Sequence, residues 1–264
     1  MHSPSILLSQ QDSILTISLN KPARRNAFDL DMRRSLAEAF FSARDMDDVK
    51  VVVLTGVGGS FCAGGDLKSL SQDRLSVMAS RDRVRRLHPW FRELVNLEKP
   101  VIAAVEGSAY GAGFNLALAA DFIVAGRTAK FCAAFGRIGL IPDLGGLYLL
   151  PRIVGLQRAK EIVFTARELD AMEAHGLGVV FSVHPEGAVL DEAMKLANRI
   201  ATASIEAIGM AKNILNRSFN LDQDTLAELE SYAQAAALHT EYHREAVSRF
   251  LDKKPFIFNW NSAR

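Results

Sequence analysis

The stretch GLIPDLGG, residues 139–146, sets one acid, Asp143, between a proline and a leucine that is followed by two glycines. An aspartate there can cap the helix suggested by the following LYLLPRIVG, accepting backbone N–H bonds. It can equally serve as a base held apart from other charge. Two glycine-rich turns, GSFCAGGDLKSL (59–70) and EGSAYGAGFNLALAADF (106–122), carry small residues at Ala63, Gly64, Gly65, Gly111, Ala112 and Gly113. Small side chains let a ligand approach the backbone, and N–H groups at a helix start are open to negative charge. Two such groups converging on one point would form an oxyanion hole; the same glycines can also serve only tight turns and close packing.

Other signatures fail on inspection. GVGGSF has Phe61 where a dinucleotide loop needs its third glycine, and no Walker lysine follows a glycine run. GSAYG places Ala109 where a hydrolase elbow needs serine. In HTEYH, His239 and His243 lie one helical turn apart, but Glu241 points away from both, unlike a metalloprotease helix. No metal site is expected. Cys62 and Cys132 match no zinc or redox spacing and suit a reducing compartment as small buried hydrophobes.

The elements that must position these residues are written in the hydrophobic pattern. ILTISLN alternates Leu15, Ile17 and Leu19 on one face, which predicts a half-buried strand ending at the NKP turn. VKVVVLTG (49–56) and KPVIAAVEG (99–107) are nearly continuous apolar runs, the pattern of strands buried on both faces of a mainly parallel sheet. Glycines and then a helical pattern follow each, so β-α units recur through the first two-thirds of the chain. DLDMRRSLAEAFFSARDM predicts a helix with Asp29 or Asp31 at its start. Residues 74–98 predict a charge-laced helical stretch, and DFIVAG and AKFCAAF two short strands. From about Asp191 only helix is predicted, ending in a seam at Leu226, Leu229, Ala233, Ala236, Thr240, His243, Val247 and Phe250.

A chain of 264 residues, 49% hydrophobic and with a formal charge of +1, has enough apolar content for one sizeable domain and no basic stripe for nucleic acid. The N-terminus shows no basic segment leading into an apolar run, and no apolar stretch reaches the length of a membrane span. A soluble, cytoplasmic protein with no membrane partner is expected.

Five blocks in order, NKPARRNAF, GVGGSFCAGGDLKSL, KPVIAAVEGSAYGAGFNLALAADF, FGRIGLIPDLGGLYLLPRIVG and AHGLGVVFSVHP, resemble the enoyl-CoA hydratase/isomerase, or crotonase, family. The resemblance runs from about residue 12 to RFLDKKPFIF. It implies an α/β fold with a crotonase-like ββα spiral core over residues 1–200 and a C-terminal helical trimerisation region over 201–264. It also implies an acyl-CoA substrate and no cofactor beyond the coenzyme A of the thioester. The matching oxyanion donors are the amides of Ala63 and Ala112. For coenzyme A the resemblance assigns Arg24 to the phosphates, with Lys253 and Lys254 as further candidates and Lys68 as another that can equally be a solvated surface charge, and Ala63, Gly64, Gly65, Asp66 and Leu67 to the loop beside the adenine.

Within that family the hydratases use two glutamates, whose positions here hold Asn115 and Phe135. Neither an amide nor a phenyl ring exchanges protons near neutral pH, so two-glutamate hydration is disfavoured. Members that shift a double bond place an acid at the position of Asp143, and a related dehalogenase uses an aspartate there as nucleophile. One carboxylate can take a proton from one carbon of an enolate system and return it to another. The expectation is an enoyl-CoA isomerase with Asp143 as proton shuttle, its basicity raised by Phe135, Ile141 and Leu144. The alternatives are another crotonase reaction, hydration or nucleophilic attack by Asp143 included, or a CoA-ester binding protein without activity. Residues 70–98 are expected to line the acyl pocket. The family further implies a homotrimer or hexamer in which Lys253 or Lys254 reaches a neighbour's CoA.

Overall fold

A computed structural model describes residues 4–67, 75–258 and 260 of the chain. Its larger sheet runs in the order β1-β2-β3-β4-β6-β9, formed by β1 (Ile6–Gln11), β2 (Ile14–Leu19), β3 (Val51–Gly56), β4 (Val101–Val105), β6 (Phe122–Gly126) and β9 (Ser182–His184). Within this sheet, among the described residues, only the β1–β2 pair is antiparallel. A smaller sheet joins β5 (Ser108–Tyr110), β7 (Lys130–Cys132) and β8 (Glu168–Asp170).

The apolar runs are explained by burial on both faces. Leu15, Ile17, Leu19, Val52, Leu54, Val101, Ala103 and Val105 point to the main core, with Met32, Leu36 and Phe40 of α1 (Leu30–Asp45). The alternate residues Ile14, Val51, Val53, Ile102 and Ala104 meet Val189, Ala193 and Ala197 of α8 (Val189–Ile200). Each large aliphatic side chain so buried contributes about 1.5–3 kcal/mol.

Asp29, and not Asp31, caps α1, its carboxylate accepting the Met32 N–H at 3.0 Å. The stretch predicted as one helix over 74–98 divides into α2 (Val77–Arg85), which buries nothing, and α3 (His88–Asn96), which buries Trp90, Phe91 and Leu94. Pro89, in the first turn of α3, supplies the break because it tolerates a helix start but not an interior. Of AKFCAAF only Lys130–Cys132 is strand; Ala134–Ile138 coils into a 3₁₀ turn. The remaining core helices are α4 (Ala112–Leu118), α5 (Gly146–Val154), α6 (Leu156–Thr165) and α7 (Ala171–Gly176).

Helices α9 (Ile205–Leu215), α10 (Gln223–Leu238) and α11 (Glu241–Leu251) end the chain, each capped by the residue before it: Ser204, Asp222 and Thr240. α9 is fastened to the core by Lys212, which donates to Asp121 at 2.7 Å and to the Lys99 carbonyl at 3.2 Å. The predicted seam is only partly packed. Leu226, Leu229, Ala233, Thr240 and His243 are half-buried, whereas Ala236, Val247 and Phe250 are exposed, and neither α10 nor α11 has a fully buried residue.

Candidate active site

The two glycine-rich turns lie against each other. The Phe61 N–H donates to Glu106, the Cys62 N–H to Ser108 and the Tyr110 N–H to the Cys62 carbonyl, all at 2.8–2.9 Å. Gly64 has φ +95°, and a Cβ there would come 2.7 Å from the Tyr110 oxygen. A Cβ on Gly113 would come 2.3 Å from the Cys62 oxygen. Real side chains do not fit so near a backbone oxygen, so both positions need glycine for the two turns to meet.

This contact revises the expected donor pair. The Ala63 N–H is taken by the Arg25 carbonyl at 2.9 Å, so it does not face a ligand. The Gly64 N–H faces the buried Cys62 sulfur, whose thiol burial pushes up to about 12. After the left-handed step at Gly64 the Gly65 N–H has no acceptor among the described residues, and Phe28 donates to Gly64 instead, at 2.7 Å. Ala112 opens α4 with no side-chain cap, and its nitrogen lies 3.7 Å from where a Gly64 Cβ would sit. Each of the two touching turns thus presents an open amide, Gly65 on one and Ala112 on the other.

Asp143 sits in a strained turn. Leu144 (φ +44°) and Gly145 (φ +73°) are both left-handed, and for a buried leucine that conformation is uncommon. The cap of α5 is Gly145 and no side chain caps it, so the carboxylate of Asp143 is not a helix cap. The turn is held through the Asp143 carbonyl, which accepts the Gly146 N–H at 3.0 Å and the Asn115 side-chain amide at 2.7 Å. Asn115 is buried, so the residue standing at a hydratase glutamate position braces the turn that carries the acid.

Burial pushes the Asp143 carboxyl above the usual carboxylate range, against the opposing pull of Arg33, its own N–H, His88 and Arg83. Leu144 and Phe135 are buried as expected, and the Phe135 ring lies 3.9 Å from where a Cβ on Gly111 would sit. Ile141 is 74% exposed and does not shield the acid. Nothing in the sequence marked Arg33 as part of this neighbourhood except its spacing: with Leu36 and Phe40 it falls on the inward stripe of α1.

Among the residues assigned to coenzyme A, the structure joins Arg24 to Asp66 through a 3.0 Å ion pair. It places Ala63, Gly64 and Gly65 alongside Arg25 and Phe28, and leaves Leu67 exposed. Lys68 lies outside the described residues, as do 69–74 of the expected acyl-pocket stretch. In that stretch Trp90 and Phe91 are core residues, and His88 is exposed. Lys253 and Lys254 follow α11, where Lys254 pairs with Asp252 at 2.9 Å; no described hydrogen bond or ion pair connects either lysine to the 24–67 cluster. No cluster of His, Cys, Asp or Glu among the described residues is arranged to hold a metal, and none of their helices is long and apolar enough to cross a membrane.

The fold of mostly parallel β-α units that carries these turns and Asp143 is shared with known proteins. The family model described as enoyl-CoA hydratase/isomerase matches residues 9–261. A crystal structure of an enoyl-CoA hydratase/isomerase from Cupriavidus metallidurans CH34 superposes with a TM-score of 0.95 at 40% identity, covering 100% of this chain and 99% of that one. The 1,2-epoxyphenylacetyl-CoA isomerase of Escherichia coli K12 is 38% identical over 94% of this chain and 96% of its own. The short-chain-enoyl-CoA hydratase of Clostridium acetobutylicum is 31% identical over 96% and 97%. The chain belongs to the enoyl-CoA hydratase/isomerase family, with its crotonase fold, and is an acyl-CoA-processing enzyme of that family.

Proposed function

We propose that the enzyme moves a carbon–carbon double bond in an enoyl-CoA. The Asp143 carboxylate takes a proton from one carbon and returns it to another, while the amides of Gly65 and Ala112 bind the thioester oxygen as it gains enolate charge. The observation that carries this reading is the state of the three positions where the family holds acids. Asp143 is desolvated and free of any capping duty, whereas Asn115 is buried as a brace and Phe135 is an apolar wall. Similarity to a relative named as an isomerase supports it, although other relatives are named as hydratases. Arg24 and the 63–67 loop are suited to hold the nucleotide end of coenzyme A.

The test is Asp143→Asn assayed in deuterated water with 3-enoyl-CoA and 2-enoyl-CoA. Isomerisation and α-proton exchange are expected to fall at least about a hundredfold with acyl-CoA affinity retained, the low end for loss of a general base. Near-wild-type turnover, or wild-type hydration of 2-enoyl-CoA without isomerisation, would exclude the assignment.

The exposed apolar residues of the C-terminal region, among them Phe250, Leu251 and Phe256, are suited to a homotrimer or hexamer, with Lys253 or Lys254 delivering charge to a neighbour's CoA. Light scattering checks this. A trimeric chain truncated before Asp252 is expected to bind CoA esters more weakly, and a full-length monomer would overturn the proposal.

A further inference from the structure

Arg33 is the unusual charge of this site. It stands on the inward stripe of α1 with its guanidinium carbon 5.4 Å from the centre of the Phe28 ring, and Phe28 in turn rests against Trp90 at 5.9 Å. Its Nε is buried without a hydrogen-bond partner, and among the described residues no hydrogen bond or ion pair satisfies the rest of the guanidinium. Arg33 is half-buried and Nε is its one buried unsatisfied nitrogen, so its terminal nitrogens are open to solvent or to a ligand, and a partly desolvated cation gains from a paired anion.

The nearby acids do not serve it. Asp29 is occupied by Lys21 at 2.6 Å and by the Met32 N–H at 3.0 Å. Asp143 is near enough for the two charges to influence each other, yet no ion pair forms between them. Arg83 of α2 and His88 of α3 also pull on the Asp143 carboxylate. A purely hydrocarbon acyl group would leave Arg33 unpaired; an acyl group ending in an anionic oxygen would complete it with charge-assisted hydrogen bonds.

We propose that Arg33 determines specificity by receiving a carboxylate at the end of the acyl group remote from the thioester, so that the preferred substrates are CoA monoesters of unsaturated dicarboxylic acids. This deepens the isomerase reading and rests on it for the placement of the acyl group beside Asp143. Binding can be measured without chemistry, using saturated CoA monoesters of dicarboxylic acids of four to eight carbons against straight-chain acyl-CoAs of the same lengths.

By calorimetry the wild-type enzyme is expected to bind the best dicarboxylic monoester about tenfold or more tightly than its neutral counterpart, the scale of one charged hydrogen-bonding pair. Arg33→Met is expected to abolish that preference and Arg33→Lys to keep part of it, with circular dichroism verifying that both variants fold. No preference at any length, or one that survives in Arg33→Met, overturns the proposal. So does an Arg33→Met variant that only moves the acid limb of kcat/KM equally for both ester classes, since Arg33 would then act on Asp143 alone. Should the preference be present and depend on Arg33 while no ester is isomerised, the reaction assigned to Asp143 fails and the acyl-end site stands.

Discussion

Asp143 makes opposite predictions for activity and stability, and both follow from burial. A general base works only when ionised, and desolvation by the surrounding turn makes ionisation harder. The acid limb of kcat/KM is therefore expected at a higher pH than an ordinary exposed aspartate gives, and Asp143→Asn should lack that limb in its residual activity. Folding is linked with the opposite sign. A carboxyl whose folded pKa is raised favours the native state below its unfolded pKa, and that contribution is lost as pH rises through the folded value. At pH 7 Asp143→Asn is expected to melt at or above the wild-type temperature, the difference narrowing as pH falls toward 4. A variant clearly less stable at pH 7 would restore a structural role for the acid, against the absence of any side-chain cap on α5.

At the scale of elements, the site depends on two turns pressed into contact. Gly113→Ala places a Cβ 2.3 Å from the Cys62 carbonyl, and because that neighbour is backbone the turns must separate. Turnover is expected to fall by at least about tenfold, and stability by about 1–3 kcal/mol, the usual range for overpacking. A denaturant melt with the steady-state rate decides it; an unchanged rate would mean that contact between the turns is not needed. The strands behind the turns were legible because two-sided burial leaves an unbroken apolar run, as in VVVL of β3. The turns were legible as glycine clusters, but the direction of each amide was not. Whether Ala63 or Gly65 presents its N–H is decided by the left-handed φ at Gly64 and by the Arg25 carbonyl, a partner 38 positions away from Ala63 that no local pattern encodes. Arg33 was hidden for a related reason. An arginine on an amphipathic helix resembles a solvated charge until the fold half-buries it against Phe28, which rests on Trp90 of α3.

For the whole molecule, the Lys212–Asp121 pair joins the last helices to the sheet, and its two halves are not equivalent. Lys212 is buried, whereas Asp121 is partly exposed and also accepts the Val101 N–H at 2.7 Å. Lys212→Met leaves that carboxylate hydrogen-bonded and is expected to cost under about 1.5 kcal/mol. Asp121→Asn leaves the buried ammonium without its opposite charge and is expected to cost on the order of 2–4 kcal/mol. Burial already lowers the lysine pKa, with Asp121 opposing, so the folded variant sheds its proton earlier as pH rises while the unfolded chain keeps its own until about 10.5. Its deficit in a thermal melt should thus shrink between neutral pH and pH 10; a constant deficit would refute this.

The bond from Asn115 to the Asp143 carbonyl also bears on how one scaffold passes between reactions during evolution. A glutamate at position 115 would bring in an acid but, once ionised, offers no N–H and sets a negative oxygen beside that carbonyl. The substitution that supplies one reaction's acid would thereby loosen the turn bearing the other's. Intermediates holding both acids should be worse than either parent, so that a change of chemistry has to cross a fitness valley made by a single 2.7 Å hydrogen bond.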